Sequence, residues 1–201
     1  IKIKGRYDYN DPEILEKDIN KELAVLRDLY YKKDDIPKFH NTVLLDIEIE
    51  ILDALTPQVI KAANAEITAI ALMDNTTKEK ICFILDKKGD LQETYESNKR
   101  IIPCKSERLL ISLFLNEWEN MDPTIVVGYN SDYFDIPYLY YRIKRILGDE
   151  VLRLSPIGKI VENPYNPNSP ITIGLVNSLD FLLLFKKFIS KEEGSYKLGD
   201  I

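Results

Sequence analysis

Acidic residues follow or interrupt two strongly β-forming segments of this chain, and their positions limit the folds that it can adopt. The first segment, 43–50, reads Val-Leu-Leu-Asp-Ile-Glu-Ile-Glu. The second, 126–137, reads Val-Val-Gly-Tyr-Asn-Ser-Asp-Tyr-Phe-Asp-Ile-Pro. Buried strands tolerate carboxylates only where a cation or hydrogen-bond donors receive them. We therefore expect Asp46, Glu48 and Asp135 to hold a pair of divalent metal ions.

The first segment alternates apolar and polar residues as a half-buried strand does. Val43, Leu45 and Ile47 fall on one face, which leaves Asp46 and Glu48 together on the other. Two carboxylates at this spacing can share one cation. The alternation therefore predicts a strand with a buried apolar face and an acidic face.

The following residues predict a mixed α/β domain. Residues 66–73 and 80–86 have the composition of two further strands, so three adjacent antiparallel strands are expected. Ser106 is the expected cap of a long helix that ends at Met121, and residues 124–128 form a short apolar strand typical of the middle of a sheet. This order of strands and helices belongs to the α/β class.

A second helix is predicted over residues 136–147, directly after Asp135. Its periodicity places Arg142, Lys144 and Arg145 on the outward face. Asp135 would then lie where a strand has ended and a helix begins, which is where ligands tend to bind in such sheets.

The most turn-rich stretch of the chain is 162–170. The apolar segments on either side of it, 157–161 and 171–176, could pair as a β-hairpin that projects from the domain. Residues 179–188 form a further amphipathic segment.

The first 39 residues are predicted to form an N-terminal arm. Asp11 and the following Pro12 begin an amphipathic helix, and residues 32–37 end it. We take 1–39 as the arm and 40–201 as the main domain.

Composition limits the classes of protein that this chain can represent. Its 201 residues are 45% hydrophobic and carry a formal net charge of −6. Affinity for phosphates comes mostly from Lys and Arg, so this acidic chain is not expected to bind nucleic acid strongly on its own. No apolar run approaches the roughly 20 residues of a spanning helix, so no membrane partner is expected. Cys82 and Cys104 are expected to be buried thiols of a reducing compartment, and His40 is expected to be structural.

Each candidate site residue also has a structural explanation. An Asp-x-Glu strand segment is more often a solvated face, and Asp135 could simply cap a helix. Tyr129 and Phe134 could equally be core residues, although two aromatics and Asn130 beside a carboxylate suit contact with an unpaired DNA end. The carboxylates together, on these elements, favour two-metal hydrolysis of a phosphodiester.

These residues resemble the proofreading domain of family B DNA polymerases, most closely the replicative polymerases of large tailed phages. Asp46-Ile-Glu48 resembles the first exonuclease motif, and Tyr129-Asn130 through Phe134-Asp135 resembles the second. The similarity covers roughly residues 40–201, including 154–158, 179–181, 186–188 and 195–198. The arm has no clear counterpart in it.

The resemblance implies an RNase H-like fold and 3′–5′ removal of mismatched nucleotides, with release of deoxynucleoside monophosphates and two Mg²⁺ or Mn²⁺ ions. Asp46, Glu48 and Asp135 would be the catalytic metal ligands, and Tyr129, Asn130 and Phe134 would contact DNA. Residues 159–173 would be the hairpin that helps to part primer from template. The partners implied are single-stranded or frayed primer-template DNA, the rest of the polymerase chain and a sliding clamp, in the cytoplasm of a cell or of a viral host.

The family's third motif, Tyr-x-x-x-Asp, supplies the last metal ligand. Residues Tyr196 and Asp200 fit it by spacing, but 195–198 resembles a segment that precedes the third motif in the family. We therefore expect the true motif beyond residue 201, a domain truncated at its C-terminal end, and low activity of this piece alone.

Two functions follow as hypotheses. The first is the exonuclease module of a DNA-directed DNA polymerase. The second is a non-catalytic RNase H-like platform that binds DNA or serves a structural role in a polymerase.

Overall fold

The computed structural model of the protein describes residues 40–50, 55–188 and 196. The predicted N-terminal arm and its helix lie outside these residues.

The described residues form a mixed α/β domain. The strands are β1 (Thr42–Ile49), β2 (Ile67–Asp74), β3 (Lys80–Leu85), β4 (Thr94–Glu96), β5 (Lys99–Cys104), β6 (Ile125–Gly128), β7 (Ile160–Glu162), β8 (Ile171–Ile173) and β9 (Asn177–Asp180). The helices are α1 (Pro57–Ala62), α2 (Glu107–Met121), α3 (Asp135–Leu147) and α4 (Phe181–Phe188), and a 3₁₀ segment (Gly148–Leu154) follows α3. None of these helices is long and apolar enough to cross a membrane.

Within the described residues, seven strands form one sheet in the order β4-β5-β3-β2-β1-β6-β9. The pairs β1–β2 and β2–β3 are antiparallel, as predicted. On one side β6 joins β1 in parallel and β9 joins β6 in parallel. On the other side β5 lies parallel to β3, and β4 pairs with β5 as an antiparallel edge. This mixed sheet flanked by helices is consistent with the expected RNase H-like fold.

Several elements were not expected from the sequence. Strands β4 and β5 extend one side of the sheet, β9 extends the other side, and the short helix α1 follows β1. The segment 179–188 was also predicted wrongly as one amphipathic stretch. Its first two residues end β9, where they pair with β6, and α4 begins only at Phe181.

The apolar face of β1 packs into a core with α2 and α3. Ser106 caps α2, as predicted, by accepting a hydrogen bond from the Leu109 backbone at 3.3 Å. Below that cap, one stripe of α2 is buried, and the indole of Trp118 donates to the Leu154 carbonyl at 3.0 Å. The core thus fixes α2 against both the sheet and the 3₁₀ segment.

The prediction that Arg142 lies on the outward face of α3 is wrong. Its guanidinium is buried and forms a two-point ion pair with Glu107 at the start of α2, with N···O distances of 2.7 and 2.6 Å. The same guanidinium donates to the carbonyls of Ala63 and Asn64. Helical periodicity cannot reveal this arrangement, because the partner carboxylate lies 35 residues away in sequence.

The turn-rich segment forms a two-stranded antiparallel ladder of β7 and β8, separate from the main sheet. Ile171 and Ile173 are buried in the core, so β8 packs against the domain at both of its ends. Glu162 accepts hydrogen bonds from Lys61 of α1 at 2.9 Å and from Tyr141 of α3 at 3.1 Å. The end of the ladder next to the connecting loop is therefore anchored on two helices.

The two cysteines differ in their burial. Cys104 is buried, as expected, whereas Cys82 is only partly buried. The expectation that both thiols are buried is thus wrong for Cys82, whose side chain lines an open groove on the sheet.

Candidate active site

Strand β1 has the two faces that its alternation predicts. Val43, Leu45 and Ile47 are at most 4% exposed, whereas Asp46 and Glu48 reach solvent on the opposite face. Neighbouring protein atoms remove part of the hydration of the Asp46 carboxyl and so raise its pKa. The strand therefore presents two adjacent oxygen donors to a ligand.

Asp135, the first residue of α3, reaches the same strand. Its side chain is 3% exposed, and its Oδ1 accepts a hydrogen bond from the Ile47 backbone at 3.0 Å. Ile47 lies between Asp46 and Glu48, so the second acidic segment contacts the first at its centre.

The register of the sheet explains why this contact is possible. Strand β6 pairs with β1 only as far as Leu44 opposite Val127. Beyond Leu44 the edge of β1 on this side has no strand neighbour among the described residues, which leaves backbone groups to be satisfied. The Asp135 carboxylate takes up one of them, the N–H of Ile47.

The buried carboxyl of Asp135 has a strongly perturbed acidity. Burial raises its pKa from 3.8 to about 7, and the charges of Asp46 and Asp180 act in the same direction. The hydrogen bond from Ile47 acts in the opposite direction but is the smaller effect. A buried carboxyl with so perturbed a pKa, beside other carboxylates, is typical of functional sites.

The turn between β6 and α3 requires Gly128. A Cβ atom at this position would lie 2.5 Å from the Cβ of Ser131 and 3.0 Å from the Leu45 carbonyl oxygen. Two residues later, Asn130 has a φ of 59°, in the left-handed region that asparagine tolerates better than most residues. The chain thus turns sharply at the end of β6 and enters α3 with Asp135 facing β1.

The predicted DNA-contacting residues lie on and after this turn. Tyr129 is half-buried, its ring centroid lies 6.5 Å from that of Phe181, and its hydroxyl donates to the Tyr196 carbonyl. Asn130 is also half-buried. Phe134 packs partly against the core, with its ring centroid 5.6 Å from that of Tyr138. Phe134 therefore has the core contacts that the structural explanation anticipated.

Asp180 is a site residue that was not expected from the sequence. Its carboxylate, 5% exposed at the end of β9, accepts hydrogen bonds from the backbones of Asn130 and Asp132. The signal that could have revealed it is the one used for Asp46 and Asp135, a carboxylate at the end of a strand-forming segment. It was missed because 179–188 was assigned to a single amphipathic segment.

An open groove of about 720 Å³ runs along the sheet beside Asp46. Tyr129, Gly128 and Phe181 line its end near the carboxylates, and apolar side chains of β1, β2 and β3 form most of its floor. Lys80, Lys99 and Arg100 lie at its other side. The groove thus combines aromatic, apolar and basic surface next to the acidic residues.

A closed metal cage is not preformed in this structure. Among residues 40–50, 55–188 and 196, no three His, Cys, Asp or Glu side chains lie close enough together to hold a metal ion. Asp46 and Asp135 are electrostatically coupled, and Glu48 lies on the same face as Asp46. Tyr196 lies beside Tyr129, and Asp200 is outside the described residues.

One known protein family has a sequence model that matches most of this chain. A sequence model of the family described as "DNA polymerase family B, exonuclease domain" matches residues 6–201. That range includes most of the segment treated above as an arm. The resemblance inferred from the two motifs is confirmed.

Individual relatives are DNA polymerases of viruses and of a eukaryote. The chain is 39% identical over 105 residues to the DNA-directed DNA polymerase of Escherichia phage RB69, an alignment of 50% of this chain and 12% of the relative. It is 35% identical over 129 residues to that of Enterobacteria phage T4, covering 61% of this chain and 14% of the relative. The DNA polymerase delta catalytic subunit of Caenorhabditis elegans is 30% identical over 105 residues, 51% of this chain and 9% of the relative. The aligned part is thus about an eighth of the phage proteins.

Proposed function

We propose, because this chain belongs to the exonuclease domain family of family B DNA polymerases, that it removes 3′-terminal nucleotides from DNA as the proofreading module of a DNA-directed DNA polymerase. The observation that carries the proposal is the contact of Asp135 with Ile47, which joins the two acidic segments at one point. The products would be deoxynucleoside monophosphates.

The donor set suits two Mg²⁺ or Mn²⁺ ions. Asp46, Glu48 and Asp135 offer hard carboxylate oxygens, the ligand type that these cations prefer. Bound cations would activate water and stabilise charge on the leaving 3′ oxygen. Because the described residues hold no preformed three-ligand cluster, this proposal requires that DNA phosphate and a further ligand complete the site.

The protein's own residues would hold the metal ions and position the end of the DNA. Asp46 and Glu48 present their oxygens on the open face of β1, while Asp135 is fixed at the strand edge by Ile47. Tyr129 and Asn130, on the turn beside these carboxylates, would contact the terminal nucleotide. Phe134 would support that turn from the core and stack where its exposed edge permits.

The substrate proposed is single-stranded DNA or a frayed primer end. The groove beside Asp46 can take an unpaired strand end against aromatic and apolar surface. Because the chain carries a net charge of −6, most of the phosphate affinity would come from the rest of the polymerase chain. A sliding clamp would be a partner of that larger protein, which would act in the cytoplasm of a cell or viral host.

The test uses the full-length polymerase that contains these residues, together with the variant Asp46→Ala/Asp135→Ala. We expect the wild-type protein to degrade a 5′-labelled single-stranded oligonucleotide from its 3′ end, and the double variant to lose at least about 100-fold in rate. Primer extension by the same preparations should stay within about twofold, which shows that the polymerase is folded. Glu119→Gln, on an exposed face of α2, is the matched charge control. Full exonuclease activity in the double variant would disprove the assignment.

The 201-residue chain alone is proposed to be nearly inactive, because the last ligand of the family's third motif would lie beyond residue 201. A chain extended through that motif should recover single-strand degradation in the same assay. Equal activity of the two proteins would show that the fourth ligand lies within residues 1–201.

A non-catalytic platform is the second candidate, and the lack of a three-ligand cluster among the described residues is the observation that favours it. Calorimetric titration of the extended chain with Mn²⁺ separates the two candidates. Binding that Asp135→Ala abolishes supports the nuclease, whereas no heat of binding at millimolar Mn²⁺ supports the platform.

A further inference from the structure

The last residue of β9, Asp180, contacts the turn that carries the proposed DNA-binding residues. We propose that Asp180 is a positioning residue, whose carboxylate fixes the Tyr129–Asn130 turn in the conformation that receives the 3′-terminal nucleotide. This inference rests on the proposed nuclease function for its kinetic consequence, although its structural consequence can be measured without it.

The carboxylate of Asp180 acts entirely through backbone hydrogen bonds in the described structure. Its Oδ1 accepts from Asn130 at 3.0 Å and from Leu182, in the first turn of α4, at 2.9 Å. Its Oδ2 accepts from Asp132 at 3.2 Å. The side chain is 5% exposed, and no Lys or Arg of the described residues pairs with it. A buried carboxylate is retained at such a cost only where its acceptors are used.

The three donors lie on two different elements. Asn130 and Asp132 belong to the turn between β6 and α3, whereas Leu182 belongs to α4. The hydroxyl of Ser178 also bonds the Asp132 carboxylate, so a second contact ties β9 to the same turn. The end of β9 therefore holds the turn at both sides of Ser131.

The turn needs such support because its geometry is unfavourable. Asn130 has a φ of 59°, which costs a residue with a Cβ free energy relative to its ordinary conformations. Its backbone N–H is satisfied by Asp180. Without that acceptor the amide would have to find water or another partner, and the turn would populate other conformations.

Asp135 has its own attachment to β1 through Ile47 and is therefore less dependent on Asp180. Loss of the Asp180 carboxylate should thus weaken recognition of the DNA end more than it slows the chemical step. Apparent affinity falls in proportion to the population of the competent conformation. We expect KM for a single-stranded oligonucleotide to rise about tenfold, which is the size of effect expected when buried N–H donors lose their acceptor. We expect kcat to change less than about threefold.

The experiment compares Asp180→Ala and Asp180→Asn in the full-length polymerase. Asparagine keeps the side-chain volume but directs its amide group, a donor, at one of the backbone N–H groups. The matched control is Asp86→Asn. Asp86 is also a buried carboxylate after a strand, and it accepts from the backbones of Gly89 and Leu91 in a loop outside the candidate site.

Two measurements are made on each variant. The first is the steady-state split of KM and kcat for 3′ excision from a single-stranded oligonucleotide. The second is hydrogen exchange by mass spectrometry over peptides that cover residues 128–134. Both Asp180 variants should raise KM and accelerate exchange in this segment, whereas Asp86→Asn should leave both unchanged.

Each outcome decides the inference. Wild-type KM and wild-type exchange in the Asp180 variants would overturn it, as would an equal rise in KM for Asp86→Asn. Should Asp180→Ala fail to fold, Asp180→Asn decides by the same criteria. If the wild-type protein excises nothing, the proposed function fails. Exchange over residues 128–134 then decides whether Asp180 positions the turn.

Discussion

At the scale of single residues, the Asp135 carboxyl is placed where its charge destabilises the folded chain. Burial raises its pKa from 3.8 to about 7. Between these values the folded chain holds a proton that the unfolded chain has released. The contribution of Asp135 to stability therefore falls as pH rises from about 4 to about 7, and it is constant above that range.

We therefore expect Asp135→Asn to stabilise the protein at pH 8 in EDTA by about 2 kcal/mol while abolishing excision. The amide oxygen can still accept the Ile47 hydrogen bond, but no buried charge remains. Thermal unfolding at pH 5 and pH 8 measures the effect, which should be smaller at pH 5. Added Mn²⁺ should raise the melting temperature of the wild-type protein more than that of the variant. A variant less stable than wild type at pH 8 would contradict this account.

Sequence patterns identified the two carboxylates on β1 and the Asp135 carboxylate that contacts this strand. They did not identify Asp180, which holds the turn between β6 and α3. Alternation on β1 was enough to place Asp46 and Glu48 on one face, and Asp135 was recognised because it follows a strand. Asp180 bonds the turn through residues 48 and 50 positions earlier in the chain. Its place at the end of a strand-forming segment could mark it as a candidate, but these partners depend on β9 lying beside β6, which no local pattern reports.

At the scale of elements, the buried pair of Arg142 and Glu107 joins four parts of the fold. Arg142 extends from α3, Glu107 begins α2, and the guanidinium also bonds the carbonyls of Ala63 and Asn64 after α1. The Glu107 carboxylate accepts in addition from the Ile67 backbone at 2.8 Å, at the start of β2. The pair thus satisfies backbone groups that the loop between α1 and β2 leaves buried.

Arg142→Met should lower the free energy of unfolding by about 3–5 kcal/mol, because it leaves the Glu107 carboxylate buried without its cation. Denaturant unfolding followed by the fluorescence of Trp118, the single tryptophan of the chain, measures the loss. The matched control is Arg153→Met, since Arg153 pairs with Glu119 at the surface and should contribute at most about 1 kcal/mol. Equal losses in the two variants would show that burial of the first pair has no special effect.

The elements that the sequence predicted are those with strong local patterns. Strands β1, β2, β3 and β6 and helices α2 and α3 have clear apolar patterns or caps, and all six are present. Strand β4 is a Thr-Tyr-Glu segment with all three residues exposed, so no burial pattern marks it. Its partner β5 lies parallel to β3, and that neighbour is set by the path of the chain rather than by local sequence.

At the scale of the whole molecule, the hairpin of β7 and β8 is anchored on helices at the end next to its connecting loop, and a side chain of that loop is exposed. Glu162 bonds Lys61 and Tyr141, while Tyr165 at the tip is 94% exposed. An anchored ladder with an exposed loop side chain suits the role that the family resemblance implies, which is to help part a primer end from its template. Such a role concerns duplex substrates only, because a single strand needs no separation.

We accordingly expect that replacing residues 164–169 by a two-residue Asn-Gly turn, which β-hairpins favour, will affect substrates unequally. In the full-length polymerase, the rate of excision of a mismatched 3′ end from a primer-template should fall about tenfold. The reason is that unpairing and unstacking the terminal base costs free energy that the hairpin would no longer help to supply. Degradation of a single-stranded oligonucleotide should stay within about twofold, because Asp46, Asp135 and the Tyr129 turn are untouched. Tyr165→Ala, which keeps the loop length, serves as the control for loss of the tip side chain. An equal fall on both substrates would mean that the hairpin supports the site itself. No change on either would remove it from the mechanism.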